Sequence, residues 1–250
     1  MTVAPTAIVS ENAVLGGRVR LRQPTRGYRA GMDAALLAAA VAAMPGQRVI
    51  EAGCGAGGAL LQVAARCPHA RLVGLERDGE VAGLARENVA LNDMADRVDV
   101  VTGDVAAGFA ALGLVPFDWA IGNPPFFDDE NALRAPAPAK RGAWIADDGL
   151  AAWTGFLLKA VREGGRIVMI HRADRLADIL ALLGDKAGSF AIRPIQPFAD
   201  QPAKRVLVQA IKTGKAPLRL LPALVLHDRS AAQHTPEADA ILRGEVGLLF

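Results

Sequence analysis

"VIEAGCGAGGALL", residues 49–61, sets Gly53, Gly55, Gly57 and Gly58 between two apolar runs. The first run has the length and β-branched content of a buried strand, and the second has the spacing of a helix start. A strand, a glycine turn and a helix make the opening of a βαβ unit, and the chain repeats the alternation from there. Expected strands at about 48–52, 71–76, 98–102, 117–121 and 165–170 are separated by helical stretches at about 57–67, 79–92, 105–112 and 146–161. Short apolar strands alternating with helices imply right-handed crossovers and a parallel sheet covered on both faces. After a further helix at 172–184, the pattern changes to strands at 189–195, 204–212 and 218–227, which suits an antiparallel end to the sheet. Upstream, "RVRLR" (18–22) alternates charged and apolar side chains like a half-buried strand. "MDAALLAAAVAAMPG" (32–46) reads as a helix capped by Asp33 and stopped at Pro45-Gly46. "NALRAPAPAKRGA" (131–143) reads as a loop.

At 250 residues the chain suits a single domain. The longest apolar run, Ala34 to Met44, is too short to span a bilayer, and the first residues lack a charged-then-apolar leader, so a cytoplasmic protein is expected. Cys54 and Cys67 cannot build a disulfide framework, no metal-ligand spacing surrounds them, and the four histidines are scattered; no metal is expected. The net charge is only +2, yet the positive charge is segregated. Arg18, Arg20, Arg22, Arg26 and Arg29 lie between Glu11 and Asp33 with no acid among them, and Lys204, Arg205, Lys212, Lys215 and Arg219 form a second acid-free run. One such run is ordinarily a solvated face; two favour a polyanionic partner, with Arg18, Arg20, Arg22, Lys204 and Arg205 as candidate contacts.

The glycine turn admits two ligand readings. Gly53, Gly55 and Gly58 satisfy G-x-G-x-x-G, and Glu76 ends the next strand, so the dinucleotide fingerprint is formally matched. Glu51 discriminates: a carboxylate at the mouth of the site repels a pyrophosphate. S-adenosylmethionine has no phosphate, and its ammonium and sulfonium groups favour a carboxylate. The pattern Glu51, Gly53, Gly55, Gly57 therefore points to S-adenosylmethionine, with Glu76 placed to accept the ribose hydroxyls. Asp104 has two open roles, acceptor for the adenine amino group or helix N-cap. Cys54 is a small residue tolerated in the loop, not a nucleophile.

"IGNPPFFDDE", residues 121–130, follows the fourth strand of the series, where ligands of open parallel sheets sit. An exocyclic or carboxamide nitrogen is a poor nucleophile because its lone pair is delocalised. The Asn123 side-chain oxygen and the Pro124 carbonyl can each accept one N–H and draw the nitrogen toward tetrahedral geometry, while Pro124 and Pro125 hold the backbone rigid. Phe126 offers a stacking face for a base or a planar amide, and Phe127 is expected to pack inward.

With these residues, the chain resembles the class I S-adenosylmethionine-dependent methyltransferases, specifically the bacterial valine-tRNA adenine-N6 methyltransferases. "QPTRGYRAGMDAALLAA" (23–39) is similar to that family's opening segment and "HTPEADAILRG" (234–244) to its ending. The resemblance implies a Rossmann-like α/β fold, with a mostly parallel seven-stranded sheet, helices on both faces and an antiparallel C-terminal strand pair. It also implies residues 1–45 as an N-terminal extension closing over the cofactor and substrate site of a domain at 46–250. An adenine of RNA, in tRNA, is the implied acceptor, with Tyr28, Arg29 and Phe126 among the substrate contacts. Phe126 departs from the family's usual tyrosine, which keeps stacking and removes a hydroxyl. The alternatives are a protein glutamine-N5 methyltransferase using the same Asn-Pro-Pro chemistry, a DNA adenine methyltransferase, a non-catalytic module binding S-adenosylmethionine and RNA, and an NAD-dependent reductase. Intact Asn123 speaks against the module and Glu51 against the reductase.

Overall fold

The computed structural model describes residues 9–25, 30–125, 149–229 and 233–250. Tyr28, Arg29, Phe126, Phe127 and the loop 131–143 lie outside the described residues.

Strands β3 (Arg48–Ala52), β4 (Arg71–Glu76), β5 (Val98–Thr102), β6 (Phe117–Gly122) and β7 (Val161–Arg172) form the parallel part of the main sheet. β8 (Ala187–Gln196) and β9 (Arg205–Lys212) complete it, with β9 inserted antiparallel between β7 and β8. The order from one edge is β8-β9-β7-β6-β3-β4-β5, so the chain reverses direction across the sheet between β3 and β6. Nearly uninterrupted burial along β3 and β6 is what a strand covered on both faces requires. The antiparallel C-terminal pair is thus present. The expected third strand at 218–227 is replaced by two short pairings, β10 (Arg219–Leu220) and β11 (Leu224–Val225), both parallel to β8 at the outer edge and bringing the sheet to nine strands. Pro217 and Pro222 flank β10, and a residue without an N–H cannot sustain a longer ladder there.

Two apolar layers sandwich the sheet. On one face lie α1 (Met32–Ala39), α2 (Gly58–Arg66) and α3 (Gly79–Leu91), with Leu36, Leu37, Leu60, Leu61 and Val89 in the core. On the other lie α4 (Leu150–Ala160) and α5 (Leu176–Gly184), with Phe156, Leu157, Ile179 and Leu183 packed on Ile50, Ala120 and Ile167. The stretch 105–112 is not an α-helix: Gly108, with φ of 80°, splits it into two 3-10 turns.

Two corrections concern the N-terminal part. The exposed stretch Val9–Val14 forms a strand, β1, which makes a hairpin with β2 (Val19–Pro24) through a turn at Gly16 and Gly17. Helix α1 ends at Ala39, before Pro45, because the chain turns there and the Leu248 N–H donates to the Ala39 carbonyl. Its N-cap is Gly31; Asp33 sits in the first turn and bonds Arg205 instead. The last helix, α6 (Pro236–Arg243), starts at Thr235, whose hydroxyl accepts the Ala238 N–H, and ends at Gly244 with φ of 75°. No helix among the described residues is long and apolar enough to cross a membrane.

Candidate active site

The carboxyl ends of β4, β3 and β6 lie side by side at the reversal point, and they carry Glu76, the glycine turn and Asn123. A small cavity opens there, lined by Ala30, Ala34, Glu51, Gly53, Cys54, Gly58, Ala59 and Asn123. The fold thus brings Glu51, Gly53 and Asn123, 72 positions apart from first to last, to one opening. Among the described residues, no lysine or arginine lines it.

Glycine is needed in the turn for two physical reasons. Gly53, Gly55 and Gly57 all have positive φ (63°, 56° and 89°), where a side chain is strained. At Gly53 and Gly58 there is also no room: an added Cβ would come 2.3 Å from the Trp153 ring at the first and 2.1 Å from the Ala30 Cβ at the second. Gly57 is the left-handed N-cap of α2, and Gly58 lets α1 approach that helix.

Glu51 is 3% exposed, and its Oε2 has no hydrogen-bond partner. Burial foremost, with repulsion from Glu76, pushes its carboxyl well above the ordinary value of 4.5, although a Leu60 backbone N–H opposes the shift. A buried carboxyl facing a cavity with an unused oxygen is suited to a cationic ligand and unsuited to a phosphate. The residues therefore fit S-adenosylmethionine, whose ammonium Glu51 would hold.

Glu76 is already engaged through both oxygens, accepting the Gly55 N–H at 3.0 Å on Oε2 and the Asp78 N–H at 3.0 Å on Oε1. It braces the glycine turn, and further lone pairs remain for ribose hydroxyls. Asp104 caps the 3-10 turn after β5, with Oδ1 accepting the Ala106 N–H at 2.9 Å; its side chain is exposed. Cys54 is buried, and burial foremost, then Glu51 and Glu76, raise its thiol well above the ordinary value, which leaves it a packing residue. Asn123 is half-buried, Pro124 buried and Pro125 exposed, so the prolines wedge the strand end while the amide reaches the cavity.

The basic residues are more committed than their spacing suggests. Arg18 precedes β2, and its guanidinium bonds the Gly244 and Arg243 carbonyls at the end of α6 and the Leu15 carbonyl. Arg20 and Arg22 do share a face, but Glu11 on β1 lies directly opposite Arg22 and binds both, at 2.7 and 3.0 Å. Arg205 pairs with Asp33 at 3.1 Å, beside the cavity wall, and Lys204 is exposed.

Other residues of the site carried no recognisable motif. Trp153 on α4 is the ring packed against Gly53, and it also approaches Gly122, the residue before Asn123. Gln23 is buried, and its Oε1 accepts the Ala30 N–H at 2.7 Å, which fixes the start of the cavity wall. Asn88 and Asn92 hold β2 against α3; the signal was their spacing of four in "ENVALN".

The family model described as "Methyltransferase small domain" matches residues 29–137. A tRNA1(Val) (adenine(37)-N6)-methyltransferase of Porphyromonas gingivalis is 32% identical over 161 residues, 60% of this chain and 61% of that protein. A release factor glutamine methyltransferase of Caulobacter vibrioides is 29% identical over 59% of this chain and 53% of that protein. The chain therefore spans about three fifths or less of the length of these two relatives. Among solved structures, a predicted O-methyltransferase of Agrobacterium tumefaciens superposes with a TM-score of 0.72 at 29% identity, covering 86% of this chain and 98% of that one. The strand order, the position of the cleft at its reversal point and these likenesses agree: the chain has the Rossmann-like α/β fold of the class I methyltransferases, and its residues 29–137 are similar to a methyltransferase small domain.

Proposed function

We propose that the protein methylates an exocyclic amine, the N6 of an adenine in tRNA, in the cytoplasm. The observation that carries this reading is the single cavity lined by both Glu51 and Asn123, with Pro124 and Pro125 directly after Asn123. Bound S-adenosylmethionine supplies an electrophilic methyl group. Glu51 holds the cofactor's cationic end, the glycine turn admits its close approach, and Glu76 and Asp104 offer acceptors toward the nucleoside. Asn123 and the Pro124 carbonyl accept the two amine protons and aim the nitrogen lone pair. The nitrogen becomes acidic once it is alkylated, so solvent can take the proton and no strong base is needed. Phe126 provides a stacking face for the base, with Tyr28 and Arg29 as further contacts, and residues 1–45 serve as the extension that closes over the site. The name of the Porphyromonas relative supports adenine as the acceptor.

A protein glutamine is the second reading. The name of the Caulobacter relative and the neutralising position of Glu11 between Arg20 and Arg22 favour it. Labelled methyl transfer into RNA, DNA and protein fractions, followed by nucleoside analysis, decides between them. Label as N6-methyladenosine in tRNA is expected. Label confined to protein would overturn the RNA reading.

A further inference from the structure

The N-terminal hairpin is a separate two-stranded sheet, so β2 needs partners for its outward N–H and C=O groups. It finds them on a helix. Residues four apart on a helix are about 6 Å apart along its axis, and alternate residues of an extended strand about 6.6 Å. Asn88 and Asn92 of α3 therefore match Arg20 and Arg22 of β2 in pitch, and each amide side chain imitates one rung of a ladder. Asn92 Oδ1 accepts the Arg20 N–H at 2.8 Å, and Asn92 Nδ2 donates to the Arg20 carbonyl at 2.7 Å. Asn88 repeats this with Arg22, at 2.9 and 2.8 Å.

The two asparagines differ in one respect. Asn92 gives its remaining proton to the Asn88 carbonyl, within α3. Asn88 is fully buried and gives its remaining proton to the Ala56 carbonyl at 2.9 Å, inside the glycine turn. Ala56 sits between Gly55, whose N–H is held by Glu76, and Gly57, the N-cap of α2. On the other side, Arg22 is followed by Gln23, which holds Ala30, and Ala30 lines the cavity that Asn123 also lines. Hydrogen bonds, joined by the peptide link from Arg22 to Gln23, thus connect the cofactor turn through Asn88 to Ala30, which lines the same cavity beside Gly58.

We infer that Asn88 is a positioning residue that couples cofactor occupancy to acceptor binding: when the glycine turn closes on its ligand, Ala56, Asn88, Arg22, Gln23 and Ala30 are set together. The acceptor named here, tRNA, rests on the function proposed above. Because coupling is reciprocal, S-adenosylhomocysteine and tRNA each tighten the other's binding.

The test measures binding of unfractionated bacterial tRNA with and without saturating S-adenosylhomocysteine. The product is expected to tighten tRNA binding about tenfold in the wild type, within the usual range of coupling. Asn88→Ala should reduce that ratio to below about twofold, while Asn92→Ala, which loses as many contacts to β2 but none to the turn, should keep it. A residue that only holds the fold together would lower both affinities and leave the ratio alone. An unchanged ratio in Asn88→Ala, or no effect of the product in the wild type, overturns the inference. Hydrogen exchange on the wild-type protein covers the case in which Asn88→Ala does not fold: S-adenosylhomocysteine should slow exchange in residues 19–24 as well as 53–63. Protection confined to 53–63 also overturns it. Should the wild type bind no tRNA at all, the RNA reading fails, and the exchange experiment alone decides the coupling.

Discussion

Replacing Glu51 by Gln separates the two properties of this carboxyl, its burial and its charge. The side chains are nearly isosteric, so packing against Leu60 and Cys54 is retained and only ionisation is lost. In the free protein, burial raises the Glu51 carboxyl above its unfolded value near 4.5, and Glu76 adds to the shift. The sign of the pH effect follows. A folded state that holds a proton more tightly than the unfolded chain is stabilised below the unfolded value, and that stabilisation is lost as pH rises through the folded one. Each unit of separation is worth about 1.4 kcal/mol. Wild-type stability should therefore fall as pH rises above about 4.5, and Glu51→Gln should remove that part of the slope, leaving the free variant as stable as the wild type or more so at pH 8. Ligand binding should respond in the opposite direction. The cofactor's ammonium gives the carboxylate a cation that no described lining residue supplies, so binding ionises Glu51 and releases up to about one proton. Loss of a charge-assisted hydrogen bond costs about 1.5–3 kcal/mol, roughly 10- to 150-fold in affinity. Calorimetry with S-adenosylhomocysteine in two buffers of different ionisation enthalpy reads affinity and proton release together. Equal affinity and equal proton release in wild type and variant would refute the assignment of Glu51 to the cofactor's cationic end.

Asn123→Ala should lower the single-turnover methylation rate at least tenfold, because one positioned acceptor for the amine is worth about 2–4 kcal/mol by analogy with oxyanion donors. A variant at full rate would show that the amide does not aim the acceptor. Gly53→Ala combines a φ of 63° with a Cβ at 2.3 Å from the Trp153 ring, so a loss of about 1–3 kcal/mol is expected in denaturant unfolding. Wild-type stability would mean that Trp153 moves aside freely. Arg18→Ala should act on stability rather than on RNA affinity, since its guanidinium is spent on the carbonyls closing α6; measuring both quantities separates the roles. Glu11 neutralises one of the two arginines it bridges, so Arg20→Gln with Arg22→Gln should flatten the salt dependence of tRNA binding by about 0.7–0.9 in log–log slope, one phosphate and not two. Glu11→Gln should steepen it by a similar amount, and no change in either direction would leave the hairpin face an ordinary solvated surface.

What was legible in the chain divides along the range of the forces involved. β3, β4 and β5 occupy the expected residues because a short apolar run between polar or glycine boundaries has only one way to be buried on both faces of a parallel sheet. The glycine turn was legible for the same reason, since positive φ at Gly53, Gly55 and Gly57 is a local demand. The sequence predicts a longer α1 because alanine favours a helix on both sides of Ala39, whereas the helix stops where the Leu248 N–H, from the far end of the chain, bonds the Ala39 carbonyl. The sequence of β1 carries no strand signal because its side chains are mostly exposed, and only its partner strand makes it a strand. The arginine run shows the limit most sharply. Alternation at positions 18, 20 and 22 suggested one basic face, but the turn at Gly16 and Gly17 puts Arg18 ahead of the strand, and the antiparallel register puts Glu11 opposite Arg22. Spacing shows which side chains can share a face, whereas the charge of that face depends on the neighbouring strand. A stretch without acids in sequence can thus be half neutralised in space. The same reasoning governs Asn88 and Asn92: on a helix by themselves they are a polar stripe, and only a strand edge of matching pitch turns them into a ladder that reaches the cofactor turn.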